Sequence, residues 1–459
     1  MGKNEDIHVV MLPWLAFGHM IPFLDLSIAL ARSRIHTTKI PPNLSEFIDF
    51  VPFSLPKLDS NPLQENAEAA IDILPDEMDN LKIACDLLQE PIKNFIAKKP
   101  PNWILVDFFP HWIVDIARDL NIPIITCCVT TAITIVCFWS PEFLGEDGPT
   151  QAKRSPQDLT VPPSSVNFPS QVAYKNHEAV VMHNILYGVN ASGIPDGARF
   201  TRLLQASRAM AMRTCLKFEA DYLELCAKTT GKLVIPMGFL PPEKPGRRIV
   251  AEKPWSRIFN WLDEQKEKSV VFIGFRSETK LKKEQIHEIA HGIELSGLPF
   301  FWALREADGV DDACDALPSG FCARTAAKGI VHIGWAPQRE ILAHPSIGCF
   351  FFHAGWGSIV EAMQYGHVLV FLPFIIDQPL NARLLVEKSL GIEVERDEHG
   401  SFTRNDIANA LRKAMASEEG EKLRARTEKA TDLVFGDRKL HDDCIEKFVE
   451  YLNLPTEVE

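Results

Sequence analysis

The sequence has little positive charge, no paired cysteine motif and no long apolar run. Its 459 residues include 48 Lys and Arg against 61 Asp and Glu, which gives a net charge of −13. Proteins that bind nucleic acid or anionic membranes need clustered basic residues, so this charge balance argues against both partners. It favours an enzyme that acts on small molecules.

The ten cysteines are scattered, and no C-x-x-C motif occurs. We therefore expect reduced thiols, with neither a disulfide framework nor a structural zinc site. No apolar run reaches the roughly 18 residues of a membrane span, and residues 1–6 lack the basic segment of a signal peptide. These absences predict a cytoplasmic protein without integral membrane association.

Short apolar runs alternate with amphipathic stretches along the whole chain. This alternation is typical of parallel strands joined by crossover helices. We expect two doubly wound α/β domains, at residues 1–235 and 256–459, joined by a Pro- and Gly-rich linker at 236–255. The last helix of the second domain is a candidate to pack back on the first.

Apolar periodicity places the individual elements. In the first domain, strands are predicted at 7–14, 103–109, 122–128 and 209–215, and helices at 20–32 and 77–97. In the second domain, strands are predicted at 269–275, 299–305, 329–334, 347–352 and 368–374, and helices near 283–296, 358–365, 381–390 and 405–416. Ligands of such sheets bind at the carboxyl ends of the strands, so residues just after each strand are the functional candidates.

A glycine-rich turn, Gly355-x-Gly357, stands between a predicted strand and a predicted helix. The N–H groups at the helix start, together with His353, could hold a phosphate. The alternative is a plain turn that only needs glycine. A dinucleotide fingerprint with Asp377 as its acid is disfavoured, because Val360 occupies the third glycine position.

His19 follows one predicted strand of the first domain, and Asp107 closes another. An imidazole at a strand's carboxyl end suits a general base, and a carboxylate at another strand end of the same sheet could orient it and stabilise its protonated form. Each residue also has a simpler interpretation, a histidine at a helix entry and a cap for the helix near Pro110. Together they favour a catalytic dyad.

One stretch of the second domain carries many distinctive residues at fixed spacing. It runs from Trp335-Ala336-Pro337-Gln338 through His353-Ala354-Gly355-Trp356-Gly357-Ser358 and Glu361 to Asp377-Gln378. This stretch resembles the signature box of plant family 1 UDP-sugar-dependent glycosyltransferases. The resemblance extends to Gly18-His19, Asp107 and nearly the whole chain, and implies a GT-B fold, two Rossmann-like domains facing across a cleft.

The resemblance also assigns roles to residues of this sequence. The implied donor site comprises Trp335 and Ala336 for uracil, Gln338 and Glu361 for ribose, His353 and Ser358 for the diphosphate, Trp356, Asp377 and Gln378 for the sugar, and in addition Gly357 and Ser277. His19 would be the base and Asp107 its partner in a single inverting displacement. No metal and no other cofactor is expected, since the helix start at Ser358 and His353 would stabilise the leaving UDP.

The sequence departs from the family at several places. Gly357 stands where most members carry Asn, which removes one amide from the phosphate site, and Ala354 replaces a common Cys. Arg276 occupies a usual glycine position beside the diphosphate, where it could add a cation or obstruct the site. The segment after Arg32 is shorter than in the family, which could open the acceptor pocket or cost stability.

The substrates follow from a finer resemblance. Residues 12–19, 294–300 and 378–383 resemble the branch that lengthens sugar chains. This implies transfer of glucose from UDP-glucose to a sugar of a terpenoid or flavonoid glycoside, with UDP-rhamnose as the alternative donor. We also expect a monomer. A protein that binds UDP-sugar without turnover is the alternative from another class.

Overall fold

Two parallel β-sheets, one in each half of the chain, organise the computed structural model of the protein. The structure describes residues 7–33, 47–58, 63, 67–74, 77–139, 155–241, 255–275, 281–304 and 316–455. The predicted architecture of two α/β domains is confirmed. The predicted linker at 236–255 falls mostly on residues 242–254, which lie outside the described residues.

The first sheet has five strands that lie side by side in chain order. They are β1 (Val9–Leu12), β2 (Trp103–Val106), β3 (Ile124–Cys128), β4 (Ala209–Met212) and β5 (Leu233–Pro236). Its helices are α1 (Phe17–Ser33), α2 (Met78–Asp86), α3 (Gln89–Lys98), α4 (Ile113–Asp119), α5 (Ala132–Phe138), α6 (Asn176–Tyr187), α7 (Asp196–Ala206) and α8 (Leu216–Thr230). Short 3₁₀ helices occupy Ala70–Asp72 and Pro156–Thr160.

The second sheet has six strands. They are β6 (Val270–Gly274), β7 (Phe300–Leu304), β8 (Gly329–Ile333), β9 (Ile347–Phe352), β10 (Val368–Phe371) and β11 (Gly391–Glu393), in the spatial order β11-β10-β9-β6-β7-β8. Its helices are α9 (Trp255–Asp263), α10 (Lys283–Ser296), α11 (Phe321–Thr325), α12 (Gln338–Leu342), α13 (Trp356–Met363), α14 (Gln378–Glu387), α15 (Arg404–Ala416), α16 (Glu418–Phe435) and α17 (Arg438–Leu452).

The central strands are apolar along their whole length because helices cover both faces of each sheet. Every residue of β2 and of β9 is buried. In β9 the rings of Phe350 and Phe352 stack on one face of the sheet with centroids 4.1 Å apart, while Phe351 contacts Phe275 on the other. Crossover connections between parallel strands then place all carboxyl ends of one sheet at one edge.

The last helix, α17, returns to the first domain. It packs on α1, and its buried Phe448 joins a core that includes Phe23 and Trp103. The indole N–H of Trp103 donates to the carbonyl of Leu452 at 2.9 Å. The C-terminal segment therefore contributes to the core of a domain more than 200 residues earlier in the chain.

Some predicted elements differ from the observed ones. The predicted helix 77–97 is two helices, because Pro91 lacks the N–H that would continue the hydrogen-bond ladder into α3. Helix α1 begins at Phe17 rather than at residue 20, so His19 lies in its first turn. Strands β5 and β11 were not predicted, since β5 ends at Pro236, which was assigned to the linker, and β11 carries a single large apolar side chain.

None of the helices in the described parts of the chain is both long enough and apolar enough to cross a membrane. The shortened segment after Arg32 falls mainly on residues 34–46, outside the described residues.

Candidate functional site

The structure brings His19 and Asp107 into contact. His19 lies in the first turn of α1, Asp107 directly follows β2, and Nδ1 of His19 is 2.7 Å from Oδ2 of Asp107. The N–H of Trp14 donates to the same carboxylate at 3.0 Å, and that of Phe108 at 2.7 Å. These bonds hold the carboxylate in place, and Asp107 does not act as the cap of a helix near Pro110.

This geometry determines which nitrogen of His19 can accept a proton. A carboxylate accepts hydrogen bonds, so Nδ1 carries the hydrogen and Nε2 carries the lone pair. The side chain of His19 is 22% exposed, whereas that of Asp107 is 3% exposed. A substrate hydroxyl can therefore approach the imidazole, while the carboxylate beneath it orients the ring and would stabilise the imidazolium.

The carboxyl edges of the two sheets face each other. The indole N–H of Trp356, the first residue of α13, donates to the carbonyl of Arg213, directly after β4, at 2.9 Å. The hydroxyl of Thr131 donates to Oδ1 of Asn381 in α14 at 3.0 Å. Helix α1 also contacts α13. His19 and the glycine-rich turn therefore belong to the same boundary between the domains.

Trp335 presents a flat, exposed indole after β8. Its side chain is 70% exposed, and the ring of Trp255 supports it edge-on with centroids 6.1 Å apart. Its carbonyl accepts a hydrogen bond from Nε2 of His332 at 2.9 Å, and the carbonyl of the next residue, Ala336, accepts the N–H of Gln338 at 2.8 Å. The indole is thus held in place on a surface where a planar base can stack.

Gln338, Glu361 and Ser358 form one polar cluster between α12 and α13. Nε2 of Gln338 donates to Oε2 of Glu361 at 2.7 Å and approaches Oγ of Ser358 at 3.4 Å. The side chains of Ser358 and Glu361 are buried. A carboxylate held this way can accept hydrogen bonds from the vicinal hydroxyls of a ribose.

Of the two glycines at the start of α13, one is needed for space and the other is not. A Cβ on Gly355 would lie 2.8 Å from Nε2 of His353, so a side chain there would displace the imidazole. A Cβ on Gly357 would lie 3.6 Å from Nη1 of Arg213, an ordinary contact distance. The glycine at 357 is therefore not imposed by lack of space for a Cβ.

Three residues assigned to the sugar have different surroundings. Trp356 is buried, and its indole N–H donates to the carbonyl of Arg213, so a hydrogen bond from Trp356 to a sugar would have to come from its backbone. Oδ2 of Asp377 accepts Nδ2 of Asn381 at 2.8 Å. Oε1 of Gln378 accepts the N–H groups of residues 374 and 375 at 3.0 and 3.2 Å, which fixes the loop before α14. Ser277 and Arg276 lie outside the described residues.

Sequence reasoning missed three polar residues at this boundary, Asn381, Arg213 and Asp25. Asn381 is fully buried and makes hydrogen bonds with Asp377, Thr131 and the carbonyl of Ala354. Its spacing of four residues from Asp377 was the sequence signal that could have identified it. Arg213 directly follows an all-buried strand. Burial raises the pKa of Asp25, against the opposing charges of Arg213 and Arg339.

The comparisons with known proteins agree with this geometry. Residues 232–422 match the family model described as UDP-glucoronosyl and UDP-glucosyl transferase. The chain is 38% identical over 467 residues to UDP-glycosyltransferase 91A1 of Arabidopsis thaliana, covering 98% of this chain and 97% of the relative. It is 37% identical over 472 residues to soyasaponin III rhamnosyltransferase of Glycine max, covering 98% and 97%.

A solved structure of a UGT transferase from Siraitia grosvenorii in complex with UDP has the same fold, with a TM-score of 0.74 at 23% identity over 97% of this chain and 100% of that chain. The two facing sheets are thus those of a GT-B glycosyltransferase. The chain belongs to the plant family 1 UDP-glycosyltransferases, and within that family it resembles the branches that extend sugar chains. Both the predicted fold and the predicted family are confirmed.

Proposed function

We propose that this UDP-glycosyltransferase inverts the donor configuration and moves a hexose onto a sugar hydroxyl of a terpenoid or flavonoid glycoside. The observation that carries the proposal is the His19–Asp107 contact at the same domain boundary as the start of α13. UDP-glucose is the donor we favour. UDP-rhamnose is the second candidate, because the relative from Glycine max is named a rhamnosyltransferase.

The proposed step is a single displacement. The acceptor oxygen forms a bond to the anomeric carbon on the face opposite UDP, and the bond from that carbon to the phosphate oxygen breaks with its electron pair leaving on UDP. The acceptor proton passes to Nε2 of His19, and Asp107 stabilises the resulting imidazolium. His353 and the N-terminus of α13 stabilise the charge that develops on the diphosphate.

A donor and acceptor screen tests this function. The protein is mixed with UDP-glucose or UDP-rhamnose and a panel of diterpenoid, triterpenoid and flavonoid glycosides, and UDP release and product mass are recorded. We expect one new product heavier by one hexose or one deoxyhexose. Binding of the donor without any product would instead support the protein that binds UDP-sugar without turnover.

The same assay tests the proposal that no metal takes part. Among the residues that the structure describes, no group of three or more His, Cys, Asp or Glu side chains could hold a metal ion. We expect the rate to stay unchanged in excess EDTA. A loss of activity that Mg²⁺ or Mn²⁺ restores would contradict this part of the proposal.

We further propose that the protein acts as a monomer in the cytoplasm. Light scattering behind a sizing column should give a mass near 51.6 kDa. A fluorescent fusion in plant cells should fill the cytoplasm, and enrichment at a membrane or in an organelle would contradict the proposed location.

A further inference from the structure

Arg213 is a buried cation at the boundary between the two domains. It directly follows β4 at the carboxyl edge of the first sheet, and its side chain is 3% exposed. Its Nε donates to the carbonyl of Phe239 at 2.9 Å, and its own carbonyl accepts the indole N–H of Trp356. These two bonds hold the arginine against the start of α13.

The guanidinium lies where a side chain on Gly357 would extend. Nη1 of Arg213 is 3.6 Å from the position of a Cβ on Gly357. The family resemblance places an asparagine amide at this position, on the phosphate site, in most members. In this chain the guanidinium of Arg213, on the first domain, therefore lies close to where most members have an asparagine amide on the second domain.

The carboxylate of Asp25 lies beside this guanidinium. Nη2 is 3.7 Å from Oδ2 of Asp25, which is an ion-pair distance but longer than a hydrogen bond. Burial raises the pKa of Asp25, and the charge of Arg213 opposes that shift. The start of α13 adds partial positive charge of its own, so the place favours an anion. Arg213 is also as buried as His353 and Ser358, the residues proposed to bind the diphosphate.

We infer that Arg213 binds the diphosphate of the sugar donor and replaces the amide that Gly357 lacks. This rests on the proposed function. A guanidinium presents paired N–H donors that match phosphate oxygens, and it carries a full charge where the amide carries none. Because it comes from the first domain, donor binding then depends on residues of both domains.

The test compares ligands with and without the diphosphate. Titration calorimetry measures the dissociation constant of UDP, and ligand-observed NMR measures that of uridine, for the wild type and for Arg213→Gln. Loss of a charged hydrogen bond should weaken UDP binding by about tenfold to a hundredfold, while uridine binding stays within twofold. A merely structural role would weaken both ligands together.

Arg396→Gln is the matched control. The side chain of Arg396 is also 3% exposed and also crosses the domain boundary, where it pairs with Glu178. This variant should lose thermal stability but keep the wild-type affinity for UDP. An equal loss of UDP affinity in both variants would show that Arg213 acts through domain packing, and would overturn the inference.

Gly357→Asn tests the replacement directly. Added to Arg213→Gln, it restores an amide at the phosphate site and should recover UDP affinity by about fivefold or more.

If Arg213→Gln does not fold, Arg213→Lys provides the test. Lysine keeps the charge but lacks the paired donors, so UDP should bind about tenfold more weakly while the affinity for uridine stays unchanged. If the variant that folds, Arg213→Gln or Arg213→Lys, binds UDP as tightly as the wild type does, the inference is overturned. If the wild type itself does not bind UDP, the proposed function is overturned.

Discussion

At the scale of single residues, the contact between His19 and Asp107 carries the proposed chemistry. Three hydrogen bonds reach the carboxylate, from His19 and from the N–H groups of Trp14 and Phe108. The contact with Asp107 fixes the orientation and the tautomer of the imidazole before the reaction, so neither has to change during it. His19 is the proposed catalytic residue, and Asp107 is its positioning residue.

Replacing His19 by Ala should lower kcat by about 10²-fold to 10⁴-fold, the usual worth of a general base. The dissociation constant of UDP should stay within twofold, because His19 is proposed to contact the acceptor hydroxyl and not UDP. Asp107→Asn should lower kcat while the KM for the donor stays unchanged. His8→Ala, outside the dyad just before β1, is the control and should keep the wild-type rate. A wild-type kcat for His19→Ala would show that another group accepts the proton.

Glu219 is a second residue with an unusual protonation state. It is buried in α8, and Oε1 accepts the N–H of Ala132 at 3.1 Å. Burial raises the pKa of this carboxyl from 4.5 to about 7, although Thr214 and Lys388 oppose the shift. The folded protein thus holds this proton more tightly than the unfolded chain, so stability falls as the pH rises from about 4.5 to about 7.

Glu219→Gln should therefore stabilise the protein above pH 7, by about 1–3 kcal/mol, because the amide stays neutral and can still accept the N–H of Ala132. Urea unfolding at pH 5 and pH 8 measures the effect, which should be small at pH 5. The exposed Glu224 on the same helix is the control, and Glu224→Gln should leave both midpoints unchanged. Equal effects of Glu219→Gln at the two pH values would contradict the proposed protonation state.

At the scale of elements, helix α17 belongs in sequence to the second domain and in packing to the first. Its Phe448 is fully buried, and Ile445 and Leu452 lie in the same core as Phe23 of α1. Because α1 carries His19 in its first turn, α17 supports the helix that positions the proposed base.

Phe448→Ala should cost about 3–5 kcal/mol of stability, through lost burial and the cavity that remains. Hydrogen exchange should rise in α1 more than in α10, which lies in the second domain. The exposed Glu450 of the same helix provides a control, and Glu450→Ala should leave exchange in α1 as it is. Faster exchange confined to the second domain would show that α17 supports that domain instead.

At the scale of the whole molecule, buried ion pairs join the two domains. Glu178 of α6 accepts Nη1 and Nη2 of Arg383 at 2.7 and 3.0 Å and also pairs with Arg396. Burial disfavours the charged form of Glu178, but Arg383 and Arg396 outweigh it and hold the pKa of the carboxyl below its ordinary value. Its stabilisation is present above pH 4.5 and is lost as the pH falls through the lowered pKa.

Glu178→Gln should destabilise the protein at pH 7 by about 3–5 kcal/mol, because it leaves two buried guanidinium groups without their anion. The difference from the wild type should shrink in acid, where the wild-type carboxyl is also protonated. Thermal melts at pH 7 and at a series of values below pH 4.5 measure this, because the wild-type carboxyl is protonated only below its lowered pKa. The partly exposed pair of Arg404 and Glu288 is the control, and Arg404→Gln should give no measurable shift. A Glu178→Gln melt equal to wild type at pH 7 would show that these pairs add nothing to domain association.

Several features of the site could be predicted from the sequence because they depend on neighbouring residues. Trp335, His353, Ser358 and Glu361 come from one continuous stretch, and its resemblance to the signature box of the family placed them in one site. The break between α2 and α3 could also have been predicted, since Pro91 marks it. Local patterns could not predict that the indole N–H of Trp356 donates to the carbonyl of Arg213, because the two residues are 143 positions apart.

The sequence by itself determined the two parallel sheets, since alternating apolar runs and amphipathic helices can bury their faces in few other ways. It also determined which residues stand at strand ends, and it placed His19 and Asp107 at the ends of two strands of the same sheet. Only the tertiary structure decided which groups meet across the domains: Arg213 with Gly357, Thr131 with Asn381, and Glu178 with Arg383. The physical reason is that such contacts depend on how two separately folded sheets dock, and no local periodicity encodes that arrangement.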